Sequence, residues 1–509
     1  MERSLKVTIN LFIMNIIYTK NRISSLLLAS VLAVLSAFLV LFNLGAASLH
    51  PWDEAWYADI SRNLVNPGQI FDLKYNQAFY WDHPPLGFWL EAVCFKIFGI
   101  SEFSARLPQA LLGIASVILI FLIGRKLKNE LVGLNAGLIL LSSRWFLFRA
   151  RTGNLDILLA FTQLLVFYFS LKLKSKTQLF LLWFAFALAM ISKSVISITL
   201  LPLILLVSLL AIKNKHFNFF DLFLAILHSI LLIIPWYVFN TFKYGPHFLI
   251  QNIFKIGLRQ GSTETVTFAT VAKTILYLRI AIHKWYHPAQ IALPLAIILS
   301  FFAKNFKLRL LLFYLFLASF PYFVSARTEI WHLIPIIGPL SLLIALVADE
   351  VLDLISIFIS LKLKCAARKL KIVATISFSI VVFVIASISL FSYWKEFISL
   401  HHVDSDIKTL SKVLNFNFQK DEKPIALSHD DYLPAFVFYA NLSRSIWVIN
   451  AYGYEDTCHQ TDGDFYALTR KNDWLSQSPA QKYLLFQAGD FLLYDFEDPV
   501  CADLKPGTD

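Results

Sequence analysis

His50-Pro51-Trp52-Asp53-Glu54-Ala55-Trp56-Tyr57-Ala58-Asp59-Ile60 follows closely on the first long apolar run of the chain, residues 25–44. A helix needs about 20 mostly apolar residues to cross the hydrocarbon core, so the stretch sets two adjacent carboxylates at a bilayer face. Trp52, Trp56, Tyr57, Ile60 and Leu64 recur at helical spacing and give an aromatic face suited to headgroup level. The same loop carries Trp81-Asp82-His83-Pro84-Pro85-Leu86. An acidic pair framed in this way is read as a candidate catalytic site. The plainer alternative is a helix start, where acidic side chains complement the dipole.

Outward from that stretch the apolar runs recur. The chain has 509 residues, 57% of them hydrophobic and 16% charged, against roughly 25% charged in soluble domains. It reads as an α-helical polytopic membrane protein. Eleven spans are expected, at about residues 25–44, 108–124, 131–145, 155–173, 179–191, 195–212, 220–236, 286–303, 308–324, 331–348 and 372–391. Stretches 266–282 and 351–363 are apolar but carry cations or are short, and are expected as interfacial helices; counting both gives thirteen spans.

Cations set the orientation. Lys6, Lys20 and Arg22 precede the first span, and alternate loops carry Arg125-Lys126-Leu127-Lys128 and the basic segments 172–176, 213–215, 304–309 and 362–371. The positive-inside rule makes these cytoplasmic. The formal charge of +11 is then a product of topology, and because the basic residues are spread over short loops rather than one stripe, no nucleic-acid partner is called for. The N-terminus reads as a signal anchor, with no small-residue cleavage site after the first run.

Three regions fall outside: residues 50–107, 237–285 and everything after 393. The expected division is a transmembrane domain over 1–393, including both outer loops, and a small α/β domain over 394–509. That tail is rich in acids, such as Asp404, Asp430, Asp431 and Glu455, with strand-like runs Pro424-Ile425-Ala426-Leu427 and Tyr483-Leu484-Leu485-Phe486. Of four cysteines, Cys94 lies in the first outer loop and Cys365 in a cytoplasmic one; Cys458 and Cys501 lie in the tail and would be free to pair if it is outside.

Cations also stand where outer loops are normally poor in them: Arg149 and Arg151 before Asp156, Lys193 in Ile191-Ser192-Lys193-Ser194, Arg259 in the second long loop, and Arg327. Beside carboxylates they suit an anionic ligand such as a lipid phosphate; the plainer reading is snorkelling to headgroups. A carboxylate orients or deprotonates an acceptor attacking an anomeric carbon, and cations stabilise the departing phosphate. Neither a Walker-type loop nor a Gly-x-Gly-x-x-Gly turn is present, which argues against nucleotide-driven chemistry.

In order and spacing, these residues resemble the membrane glycosyltransferases of the GT-C fold, which include protein O-mannosyltransferases and the aminoarabinose transferases of lipid A. The resemblance runs from about Leu44 to Ala348. It is carried by Asp53-Glu54 with Tyr57-Ala58, Asp82-His83-Pro84-Pro85-Leu86 with Trp89, Phe98-Gly99, Ser104-Ala105-Arg106-Leu107-Pro108, Arg151-Thr152-Gly153 through Asp156, Ser192-Lys193, Pro235-Trp236-Tyr237 and Glu329-Ile330-Trp331-His332-Leu333-Ile334-Pro335.

The resemblance implies that Asp53 is the principal catalytic carboxylate, assisted by Glu54 or Asp156, and that Lys193 and Arg259 hold the phosphate of a polyprenyl-phosphate sugar. His83, Arg62, Arg151 and His332 complete the implied substrate-binding set. It further implies single displacement with inversion, and a lid through Gly245, His247, Phe248 and Arg259. His83 is a departure, because the aminoarabinose transferases carry lysine before the Pro-Pro pair; the charge of histidine depends on pH. No metal and no other cofactor is expected, since His50, Asp53, Glu54 and His83 match no metal-ligand spacing. The expected partners are the lipid bilayer, the polyprenyl-phosphate donor and a protein, lipid or glycan acceptor. The rival readings are a lipid-linked sugar flippase or transporter, which would favour internal repeats and midplane charges, and a structural or sensory membrane protein.

Overall fold

The computed structural model describes residues 25–257 apart from 51, 52, 66, 67, 77 and 172. It also describes 268–285, 294, 297, 298, and 306–400 apart from 324, 326, 327 and 364–366, and in the tail 408–409, 425–427, 433–440, 448–450, 458–459, 464–470, 482–496, 499 and 501. The chain folds into two compact units.

The first unit comprises residues 1–42, 109–150 and 155–395. Its helices are α1 (Ser25–Leu41), most of α4 (Glu102–Leu127), α5 (Glu130–Leu141), α6 (Arg144–Ala150), α7 (Asp156–Ser170), α8 (Lys176–Met190), α9 (Leu201–Lys213), α10 (Phe219–Tyr244), α11 (Pro246–Leu249), α12 (Phe268–Trp285), α13 (Phe306–Phe323), α14 (Ile334–Leu363) and α15 (Ala367–Leu400). Their starts are written in the polar loops. Asn129 accepts from the Val132 amide before α5, Ser175 from Gln178 before α8, and Asn218 and Asp221 close a capping box at α10.

Among the described residues, four helices are long and apolar enough to cross a membrane: Glu102–Leu127, Val195–Lys213, Phe219–Tyr244 and Phe306–Phe323; a fifth arises if α5 and α6 count as one span, bent by 75°. Helix α10 leaves most of its apolar surface uncovered by protein, which suits lipid as the solvent. The molecule is therefore a multi-pass membrane protein. α7 packs on α8, α8 on α10, and α14 on both α5 and α7.

Three expectations are revised. The apolar run 131–145 is not one straight helix: Ser143 accepts from the Phe146 amide and so starts a new helix, while Ser142 returns its hydroxyl to the Ile139 carbonyl. Residues 351–363 do not form a separate interfacial helix; no Gly or Pro follows Ala348, and α14 runs on unbroken to Leu363. The helix expected over 108–124 begins earlier, at Glu102, because Pro108 is accommodated inside it. Of the stretch 266–282, the described residues 268–282 are helical as part of α12. The expected span 286–303 lies almost wholly outside the described residues.

The second unit comprises residues 43–108, 151–154 and 396–509, so the first outer loop groups with the tail rather than with the membrane helices. It holds α2 (Asp53–Asn63), a hairpin of β1 (Lys74–Tyr75) and β2 (Ala78–Phe79), and α3 (Leu86–Phe98), followed by the first turns of α4. The tail contributes β3 (Ile425–Leu427), α16 (Leu433–Ala440), β4 (Val448–Asn450), β5 (Phe465–Arg470), β6 (Leu484–Ala488) and β7 (Phe491–Phe496) in one sheet of order β4-β3-β5-β7-β6. β3 runs parallel to β4 and β5, while β7 is antiparallel to β5 and β6.

In the central strands β3, β5 and β7 both faces are buried, following the two-residue alternation of strand side chains. Ala426, Phe465, Ala467, Leu492, Tyr494 and Phe496 share one face with Cys458, which is disulfide-bonded to Cys501 across a Cα separation of 5.6 Å. On the other face Ile425, Tyr466, Leu468, Phe491 and Leu493 pack with residues 435–439 of α16, and in the same core lie Leu49, Ala55, Ala58, Phe95 and Ala105. Loop and tail thus share a single hydrophobic core.

Candidate functional site

Asp53 and Glu54 open α2, and adjacent residues on a helix diverge by about 100°. Glu54 turns inward and is 2% exposed. Arg106 holds it with two bonds, Nε to Oε1 at 2.7 Å and Nη2 to Oε2 at 2.9 Å; the Gly153 amide donates to Oε1 at 2.7 Å and the His50 amide to Oε2 at 2.7 Å. A Cβ on Gly153 would stand 3.2 Å from Glu54 Cγ, a tight contact that would press the glutamate stem by a few tenths of an ångström. Burial pushes the Glu54 carboxyl up, but the charge and hydrogen bonds of Arg106, with the two amides, outweigh it and hold the group below its usual range. Arg106 spends its remaining donors on the carbonyls of Leu44 and Ala47, both at 2.9 Å, and Ser48 at 2.8 Å.

Asp53 itself is half-buried. Beside it Tyr57 and Tyr80 meet His83 edge-on, with ring centroids 6.0 and 6.2 Å away, and both pack on Phe88. Burial raises the Tyr80 hydroxyl well above the ordinary tyrosine range, and Tyr57, Asp82 and Asp53 act on it in the same sense. Asp53, Asp82 and His83 therefore gather around one aromatic cluster.

The other expected residues of this unit differ in their engagements. Arg151 is buried in the short segment that delivers Gly153 to Glu54. Arg62, expected to bind substrate, pairs with Asp59, donates from Nη1 to the Phe438 carbonyl at 3.0 Å and lies over the Phe438 ring. Those contacts fasten α2 to α16. Asp59 is tied in turn to the hairpin by the Asn76 amide at 3.0 Å.

The first unit holds a second charged group. Asp156, 1% exposed at the start of α7, is bound by Arg149 through one oxygen and by Lys193 through the other. His332 is an electrostatic neighbour of Asp156; its Nδ1 accepts from the Glu329 amide at 2.9 Å and its ring stacks on Tyr322. One carboxylate between two cations leaves the trio with net positive charge. In the second long loop Phe248 packs on Trp236 and Tyr237 with centroids 5.0 and 6.0 Å apart. Arg259 lies outside the described residues. Among the described residues no cluster of three or more His, Cys, Asp or Glu is arranged to hold a metal.

Sequence reasoning gave Arg149 only as one of several cations and did not single out Arg106, Glu91 or Tyr439. Glu91 on α3 is buried, takes the Ser61 hydroxyl at 3.0 Å on Oε2, and leaves Oε1 without a hydrogen-bond partner among the described residues. The contacts of Arg106, Glu91 and Tyr439 reach across 52, 30 and 337 positions, whereas Arg149 lies seven positions from Asp156.

Residues 82–239 match a family described as dolichyl-phosphate-mannose-protein mannosyltransferase. The chain has a helical GT-C fold: it superposes on the crystal structure of ArnT from Cupriavidus metallidurans bound to undecaprenyl phosphate with a TM-score of 0.70, at 14% identity, covering 95% of this chain and 99% of that one. Among curated relatives it is 28% identical over 219 residues to an undecaprenyl phosphate-alpha-4-amino-4-deoxy-L-arabinose arabinosyl transferase of Proteus mirabilis, covering 41% of this chain and 39% of the relative. It is also 35% identical over 136 residues to the polyprenol-phosphate-mannose–protein mannosyltransferase of Mycobacterium tuberculosis, covering 26% of each. An uncharacterized protein of Aquifex aeolicus is 30% identical over 157 residues, 30% of this chain and 32% of the relative. The sequence matches span between 18% and 53% of the length of these curated relatives.

Proposed function

We propose that this chain is an integral-membrane glycosyltransferase that moves a sugar from a polyprenyl-phosphate donor to a protein, lipid or envelope-glycan acceptor on the extracytoplasmic face. The observation that carries the reading is Asp53, held at the first turn of α2 by the buried pair of its neighbour Glu54 with Arg106, in a chain with the fold and partial sequence likeness of enzymes named for polyprenyl-phosphate sugars.

In this reading Asp53 orients the acceptor hydroxyl or amine and takes its proton as the acceptor oxygen or nitrogen attacks the anomeric carbon. The bond from that carbon to the phosphate oxygen breaks on the opposite face, and configuration inverts. Lys193, Arg259, Arg151, His83 and His332 are each proposed as donor-binding residues, and cations of this kind stabilise the charge that develops on a departing phosphate. Asp156 sets the position of Lys193 and Arg149. Glu54 and Arg62 belong to the support of α2 rather than to bond making. Eleven spans with a cytoplasmic N-terminus and a tail on the outside, in the plasma membrane, complete the proposal; the cation distribution supports that orientation.

The test is incubation of the purified full-length chain with a panel of labelled polyprenyl-phosphate sugars and membrane extract as acceptor source. Transfer of label from one donor supports the reading. Binding of a donor without transfer to any acceptor would count against it and in favour of lipid-linked sugar movement without bond formation.

A further inference from the structure

Residues 44–50 lead the chain from the first span into α2, and side chains of Arg106, Tyr439 and the nearby Glu54 hold them nearly residue by residue. Arg106 takes the carbonyls of Leu44, Ala47 and Ser48, and Glu54 takes the His50 amide. The remaining grip comes from the tail: the Tyr439 hydroxyl accepts from the Leu49 amide at 2.7 Å. The same hydroxyl donates to Glu102 Oε1 at 3.0 Å, an oxygen that also receives Lys408 of the tail. Glu102 lies one turn before Arg106 on α4. The hydroxyl therefore joins the polar network that ends at Glu54, beside Asp53.

The neighbouring residue of α16 holds the other end of α2. The Phe438 carbonyl receives Arg62 at 3.0 Å, and the Phe438 ring lies 5.9 Å beneath the guanidinium. Consecutive residues of one short tail helix thus grip the entry to α2 and its last turn. The tail core alone does not require this, since Phe438 and Tyr439 bury their rings in it whichever polar groups they meet.

We propose that Tyr439 is a positioning residue for the reaction, acting through the Leu49 amide and Glu102 to fix where α2 presents Asp53. Tyr439 does not touch the reacting atoms. The tail then has a part in turnover and is not only a cover. This rests on the glycosyltransferase reading for its consequence, though not for its geometry.

Tyr439→Phe keeps the buried ring and removes only the hydroxyl, and Arg62→Gln releases the opposite end. The experiment measures hydrogen exchange over residues 46–60 of the full-length protein, together with kcat and KM for the polyprenyl-phosphate sugar donor. Exchange at Leu49 and the first turn of α2 is expected to speed up in Tyr439→Phe. With it kcat is expected to fall about tenfold at unchanged donor KM, the scale on which small misplacements of a catalytic group act. Unchanged exchange overturns the clamp, and faster exchange with unchanged kcat overturns the positioning role. A fall in apparent kcat fully accounted for by the loss of folded protein would assign Tyr439 to stability alone and overturn it too. If wild type transfers no sugar, it is the glycosyltransferase reading that fails, and the exchange data still decide the clamp.

Discussion

Glu54 and Glu91 are both buried carboxyls of the first outer loop, and their surroundings drive them apart. Glu54 has four donors and is held as an anion. Its folded pKa is depressed, so its contribution is present above the ordinary glutamate value of about 4.3 and is lost as pH falls below it. Glu91 is raised well above the usual range by burial, against the Ser61 bond and with the Glu54 charge adding to the shift. Its sign is opposite: the fold is favoured with Glu91 protonated, and stability falls as pH rises from the ordinary value toward the raised one. Glu91→Gln is expected to flatten that part of the pH profile and to leave neutral-pH stability equal or higher, as read from thermal unfolding in detergent between pH 4 and 9. Arg106→Ala is expected to cost about 3–5 kcal/mol, because it leaves a buried carboxylate without its ion-pair partner; unfolding midpoints measure this. The sequence showed that one of two adjacent carboxylates sits at a helix start. It did not show which turns inward, since the partner Arg106 stands 52 positions away.

Between residues and the whole, the helices show where hydropathy is a sufficient guide and where it is not. Apolar runs marked α4, α10 and α13, and α9 with the turn before it, which are long and apolar enough to cross hydrocarbon; they also marked the shorter apolar helices α7 and α8. The bend between α5 and α6 escaped, since Ser142 and Ser143 sit inside an apolar stretch and satisfy the backbone there with their own hydroxyls. The close approach of α4 and α5 was equally hidden. It runs through Gly124 and Gly133, where a Cβ on Gly124 would stand 2.7 Å from Gly133 Cα. Small residues let membrane helices meet backbone to backbone. Gly133→Leu is therefore expected to destabilise the membrane unit by at least about 1–3 kcal/mol, the usual scale of overpacking, as read from the shift of its unfolding midpoint. Asp156→Asn belongs to the same scale, because it removes the group shared by α6, α7 and the segment carrying Lys193. It is expected to lower stability along with any activity.

At the scale of the molecule, the tail was legible as an α/β segment through its short β-rich runs, and the Cys458–Cys501 bridge was one of the open possibilities. The shared core of loop and tail was not legible, because it joins residues such as Leu49 and Tyr466 that lie hundreds of positions apart. Removal of the bridge by Cys458→Ser is expected to cost about 4 kcal/mol for a loop of this length. In intact cells, thiols at Cys458 and Cys501 are expected to react with a membrane-impermeant reagent only after reduction; labelling from the cytoplasmic side alone would contradict the proposed orientation. The central claim is that Asp53 carries the chemistry while its neighbours hold it in place. The most direct measurement is transfer of labelled sugar by purified wild type and Asp53→Asn, with folding and donor binding checked in both. The account expects transfer to fall by about 10²–10⁴ in Asp53→Asn, the range typical of a lost general base, with folding and donor binding retained. Undiminished transfer by the folded variant would contradict it.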